Sequence, residues 1–227
     1  MIHPPREVHG LLVLISGPVG TGKAELCRRL VAAHPEVEHV LTCTTRAPCP
    51  GEQHGVDYCF LSDVQFDQAL AHDEFFEWTQ ACGARFGTRK DALSPRLACG
   101  VDLVINVDVQ GARFPRQAIE GDAALRSRLV RVFVMPPDAS VVQRHLEASG
   151  EDTAEHVAKR LKILLHEMEQ WTQHDYCIVT STLDEDYVRL EAIWRAEKCR
   201  VARLRQAAIM QAAWMRAESQ MPFILER

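Results

Sequence analysis

Residues Leu11–Lys23 read LLVLISGPVGTGK, and this stretch decides the architecture. Leu11 to Ile15 is an unbroken run of Leu, Val and Ile, the pattern of a strand buried on both faces of a parallel sheet. It runs into Gly17-Pro-Val-Gly20-Thr-Gly22-Lys23 and then Glu25-Leu-Cys-Arg-Arg-Leu-Val, where Leu26, Leu30 and Val31 mark one side of a helix. Strand, glycine loop and helix, in that order, give G-x-x-x-x-G-K the context of a phosphate-binding loop. Glycines let the backbone wrap until several N–H groups point at one anion. The helix N-terminus adds partial positive charge, and Lys23 a full one. Gly17, Pro18, Val19, Gly20, Thr21, Gly22, Lys23 and Ala24 form the expected phosphate nest. Ala24 breaks the pattern, standing where a Ser or Thr hydroxyl would face Mg²⁺.

A chain of 227 residues suffices for one large α/β domain or two small ones, with a sizeable core. Apolar residues at 47% and charged residues at 25% describe an ordinary globular protein. The formal charge of −5 argues against a general nucleic-acid or membrane-surface role, while leaving room for a local basic pocket. Eight cysteines lie scattered without a C-x-x-C pair or paired metal-ligand spacing, as reduced thiols of a cytoplasmic protein would. No apolar run is long enough to span a membrane, and Met1-Ile-His-Pro-Pro-Arg lacks a signal-peptide core.

Along the chain, Pro35 closes the first helix and His39–Thr42 reads as a short second strand. Thr44 to Tyr58, rich in Pro and Gly, reads as a surface loop free to carry function. Cys59-Phe-Leu returns to a strand, and Ser62 caps a helix through His72 with Val64, Phe66 and Leu70 at apolar positions. Phe75 to Thr79 is a strand placing Glu77 between aromatics, Gly83 to Thr88 a hairpin or loop, and Arg89–Cys99 a helix ended by Gly100. The run Val101 to Val107 places Asn106 and Asp108 at its carboxyl end, where open α/β sheets bind ligands. Leu129 to Met135 and Asp175 to Thr180 are further strands, and Ala139 to Glu147 a helix. A long helix from Thr153 carries Val157, Leu161, Leu164, Leu165, Met168 and Trp171. A last one runs from Leu183 through Tyr187, Leu190, Trp194 and Val201. Strands alternating with helices predict an α/β fold, a parallel sheet covered by helices.

The chain resembles guanylate kinases, ATP-dependent enzymes that phosphorylate GMP. Beside the phosphate loop, the resemblance rests on Thr44-Thr-Arg46-x-Pro48-x-x-Gly51-Glu52-x-x-Gly55-x-Asp57-Tyr58 and Phe76-Glu77-Trp78. It continues through Gly87-Thr88, Val107-Asp108-x-Gln110-Gly111, Pro136-Pro137 and Lys159-Arg160-Leu161. It implies one P-loop NTPase-like domain over about residues 10–205, with its core at 10–42 and 100–205. A small mixed α/β GMP-binding region is implied at 43–98, a short lid near 144–156, and a helical extension at 206–227.

By the same resemblance, Thr42, Glu77, Thr88 and Asp108 read guanine. Carboxylates accept from N1–H and the 2-amino group, which adenine does not offer in that arrangement. Arg46 and Tyr58 hold the GMP phosphate, Lys23 bridges the β- and γ-phosphates of ATP, and Arg160 leans toward the transferring group; in the enzyme reading Arg144, one residue aside from a lid position that the family fills with arginine, or Arg46 covers part of the missing charge. Asp108 holds Mg²⁺ indirectly, through water. The implied partners are ATP and GMP, with no nucleic acid and no membrane. Departures cluster on charge handling: Ala24, Cys49 for a second phosphate-binding Arg, Phe86 for a Tyr, Asn106 for an acid, and His145 and Ser149 for lid arginines. Two functional classes follow. One is a phosphotransferase converting ATP and GMP to ADP and GDP, with activity that these departures reduce. The other is a catalytically impaired nucleotide-binding or protein-interaction module on the same fold.

Overall fold

Alternation along β1 (Leu12–Ser16) sorts its side chains into two layers. Leu11, Val13 and Ile15 pack with Leu26, Cys27, Leu30, Leu190 and Trp194, while Leu12 and Leu14 pack with Phe76, Leu93, Leu97 and Ile105. Each such side chain removed from water contributes about 1.5–3 kcal/mol, so a strand apolar at every position is stable only between two covers. The structure is a computed structural model and describes residues 10–81, 83–113, 123–138, 140 and 167–203.

After β1 come α1 (Lys23–Ala33), β2 (Val37–His39), β3 (Cys43–Thr44), β4 (Cys59–Phe60), α2 (Asp63–Ala71), β5 (Phe75–Ala81) and β6 (Ala84–Arg89). There follow α3 (Ser94–Ala98), β7 (Asp102–Asn106), α4 (Ala123–Arg128), β8 (Leu129–Met135), β9 (Tyr176–Val179) and α5 (Leu183–Lys198). One sheet has the order β2-β7-β1-β8-β9 and is parallel throughout. The other, β4-β3-β6-β5, is mixed. The parallel sheet with helical cover is the α/β architecture that the sequence predicts. Ser62 caps α2 as expected, within a reciprocal box with Gln65.

Several boundaries differ from the sequence reading. The second strand is Val37–His39 rather than His39–Thr42, because Val37 is the residue that enters the core and pairs with Asp102. The segment expected as one helix over Arg89–Cys99 is divided. Arg89 ends β6, Lys90–Ala92 is a 3₁₀ turn, and α3 starts at Ser94, with Pro95 in its first turn, where a missing N–H costs nothing. Val64 is exposed, as α2 buries Phe66 and Ala69 instead. Trp171 lies in a 3₁₀ turn over Glu169–Gln173 and is 47% exposed, because the tighter winding turns Gln170 inward in its place. Val201 lies beyond the end of α5, in a 3₁₀ turn, and is exposed. All of the helix expected over Ala139–Glu147 except Ser140, the start of the long helix from Thr153, the lid and the extension at 206–227 lie outside the described residues.

Asp102 at the start of β7 is fully buried and ties three elements together. Its Oδ1 accepts from the Leu11 N–H at 2.8 Å, and its Oδ2 accepts from the Trp194 indole N–H at 2.8 Å and the Lys198 ammonium at 2.6 Å. Trp194→Phe deletes one charge-assisted donor, so we expect a loss of about 1.5–3 kcal/mol. For a chain of this size the melting temperature falls by roughly 3–10 °C, with kcat unaltered. A melt unchanged by the substitution would mean that the indole bond contributes nothing.

Candidate active site

The glycine loop is shaped by backbone that side chains would obstruct. Gly17 adopts φ 142°, and a Cβ there would lie 2.2 Å from the Val134 carbonyl oxygen. Gly22, at φ 79°, is the N-cap of α1, whose first turn has no side-chain cap, so its N–H groups face the loop. Thr21 Oγ1 donates to the Pro18 carbonyl at 2.9 Å and pins the turn. The Lys23 ammonium donates to the Gly17 and Pro18 carbonyls at 2.7 and 2.6 Å. Burial lowers its pKa to about 8, opposed by the negative charges of Glu167 and Asp108 and by Cys27. An anion entering the nest restores the full positive charge.

A cavity of about 660 Å³ opens above this loop. Lys23, Glu77, Asp108, Thr42, Tyr58 and Phe86 all line it, so the acids at 77 and 108 share one space with the phosphate loop. Glu77 and Thr79 stand on one face of β5, opposite Thr88 and Phe86 of β6. The Thr88 hydroxyl is fully buried and donates to Glu77 Oε1 at 2.6 Å, so Thr88 lies behind Glu77 rather than on the cavity wall. Burial pushes the Glu77 carboxyl up to about 7; the hydrogen bond from Thr88 opposes this, and the nearby charge of Asp108 adds to it. Asp108 follows the carboxyl end of β7. Its Oδ1 accepts from the Gly111 N–H at 2.5 Å and its Oδ2 from the Thr79 hydroxyl at 3.1 Å. The Asn106 side-chain oxygen is buried with no hydrogen-bond partner, and Asn106 lines the same cavity.

Arg46 is held by its own loop and is not itself among the residues lining the cavity. Its guanidinium pairs with Glu52 at 2.9 Å, donates to Cys49 Sγ at 2.8 Å and lies 5.4 Å from the Tyr58 ring centroid. The Glu52 carboxylate also accepts from the Cys49 N–H at 2.7 Å, so the loop is prefolded around this pair. Glu52 and Tyr58 reach the cavity wall. Arg144 and Arg160 lie outside the described residues. Sequence reasoning missed Thr79 and Glu167. The period of two along β5, which puts Thr79 on the face of Glu77, was the available signal for the former.

The family model for guanylate kinase matches residues 9–197. A guanylate kinase of Geobacter sulfurreducens is 34% identical over 87% of this chain and 94% of its own length. One of Maricaulis maris is 36% identical over 86% of each. The crystal structure of guanylate kinase from Anaplasma phagocytophilum superposes with a TM-score of 0.71 at 25% identity, covering 91% of this chain and 95% of that one. With the phosphate loop, the paired acids and the intervening cavity in one fold, the chain belongs to the guanylate kinase family.

Proposed function

We propose that this chain transfers the γ-phosphoryl group of ATP to GMP, releasing ADP and GDP. The observation that carries the reading is the single cavity joining Lys23 to Glu77 and Asp108. One end offers backbone N–H groups and an ammonium for a polyphosphate, and the other offers carboxylates for a base edge rich in N–H donors. Phosphoryl transfer is catalysed chiefly by positioning and charge stabilisation, so two cradles facing one cavity are the machinery that it needs.

In this reading, the loop of Gly17–Ala24 seats the ATP phosphates and Lys23 turns from its carbonyl partners to the β- and γ-oxygens. Glu77 and Asp108 accept from guanine, with Thr42 beside them on the wall and Thr88 fixing Glu77 from behind. Arg46 and Tyr58 bind the acceptor phosphate; Arg46 then exchanges part of its pairing with Glu52 for the phosphate oxygens, a bidentate grip suited to guanidinium. Arg144 and Arg160 complete the charge on the transferring group.

The oxygen donors fit Mg²⁺ arriving with ATP. The Asn106 oxygen is an orphaned buried acceptor in the cavity that Asp108 also lines, and magnesium prefers oxygen ligands, mostly water and substrate phosphate with one or two from protein. Asp108 would hold its water shell, and the bound ion would neutralise charge on the phosphates. An ADP-release assay tests the reading. GMP is expected to support turnover at least a hundredfold above AMP, UMP or CMP, since a site built for N–H donors leaves buried acceptors unpaired with the wrong base. Absence of GMP-dependent ADP release at high enzyme concentration would refute it.

A further inference from the structure

We propose that Thr79 is a positioning residue which gives this site its preference for a purine carrying a 2-amino group. The inference rests on the GMP reading above and goes beyond it. Guanine presents three hydrogens along one edge, one on N1 and two on the amino nitrogen. A single carboxylate accepts two neighbouring donors side by side, and the third needs a second acceptor. Glu77 and Asp108 converge to supply that pair: a Cβ built on Gly111 would lie 2.7 Å from Glu77 Oε2 and 3.1 Å from Asp108 Oδ1.

The two acids come from different parts of the chain, so their mutual placement must be enforced. Glu77 is fixed within its own hairpin by Thr88. The Gly111 N–H bond to Asp108 joins residues three apart in one turn, and so anchors Asp108 only to its own segment. The Thr79 hydroxyl bond to Asp108 Oδ2, at 3.1 Å, spans the gap and attaches Asp108 to the strand that carries Glu77. Thr79 is itself buried and lines the cavity. A carboxylate held at both oxygens from two elements keeps its plane, and each oxygen retains a lone pair free for a further donor. The bland alternative is a threonine chosen for its fit in a strand, its hydroxyl satisfied by the nearest acceptor.

Valine separates the two, because it keeps the β-branched shape and removes only the donor. The experiment compares kcat/KM for GMP and for inosine monophosphate, which lacks the 2-amino group, in wild type, Thr79→Val and Thr79→Ser, with a thermal melt of each. Thr79→Val is expected to lower the GMP-to-IMP ratio about tenfold, the value of one charge-assisted hydrogen bond. The loss appears in KM for GMP, with KM for IMP within about twofold of wild type and the ratio restored in Thr79→Ser. If valine does not fold, Thr79→Ala carries the same expectation. An unchanged ratio, or equal loss for both nucleotides, overturns the assignment. A wild-type protein that phosphorylates neither nucleotide overturns the acceptor assignment itself, a failure visible before any variant is compared.

Discussion

Lys23→Ala is expected to abolish phosphoryl transfer while sparing acceptor binding. Lys23 is the one residue of the glycine loop with a full charge, and it faces the cavity from the first position of α1. A positioned cation or donor on developing phosphoryl charge is worth about 10²–10³ in rate or more, so kcat should fall on the order of 10³-fold. Folding should not suffer. Alanine is the best helix former, and the ammonium it replaces is desolvated, as the lowered pKa records. GMP affinity, measured by calorimetric titration, should stay within about threefold, because the hydrogen bonds of Lys23 go to Gly17 and Pro18 and not to either acid. Turnover within about tenfold of wild type in Lys23→Ala would place the reacting phosphate elsewhere. Loss of GMP binding together with turnover would instead mean that the cavity does not divide into two cradles.

How far this could be read from sequence depends on how local each feature is. The double-faced burial of β1 and the glycine loop follow from neighbouring residues alone, and both were legible. The misplaced apolar positions share a reason. Periodicity marks apolar positions without saying how far anything covers them, and Val64, Trp171 and Val201 stay largely exposed. Strand ends were misplaced where tertiary pairing decides, as with Val37 opposite Asp102. Glu77 and Asp108 are far apart in sequence, and only the family resemblance brought them together beforehand. What it did not supply is the bond between Thr79 and Asp108, or Thr88 standing behind Glu77. The same holds for Cys49. Its departure reads as a lost charge in sequence, yet in the fold its sulfur and N–H help hold the Arg46–Glu52 pair in place.

Glu77→Gln should make the protein more stable and nearly useless toward GMP, and the pH dependence of both effects is fixed by sign. The folded carboxyl titrates near 7 against an ordinary 4.5, because burial and the Asp108 charge disfavour its ionised form. Its contribution to stability is therefore fully present below about pH 4.5 and lost as pH rises through 7. Above that, the buried carboxylate costs about 3 kcal/mol. Glutamine has nearly the same shape, still accepts from Thr88 and carries no charge. At pH 8 the variant should melt roughly 6–10 °C above wild type, and at pH 5 the two should nearly coincide. Activity moves the other way. An amide offers one acceptor and turns donors toward the guanine N–H groups, so kcat/KM for GMP should fall about 10²–10³-fold, two charge-assisted bonds' worth. In wild type, KM for GMP should rise as pH falls below 7, approaching tenfold per unit, because the protonated acid must lose its proton to accept from N1–H. In Glu77→Gln that slope should vanish. A variant that gains no stability at pH 8 would mean that the acid is ionised without penalty in the fold. A variant that keeps GMP turnover would remove Glu77 from base recognition altogether.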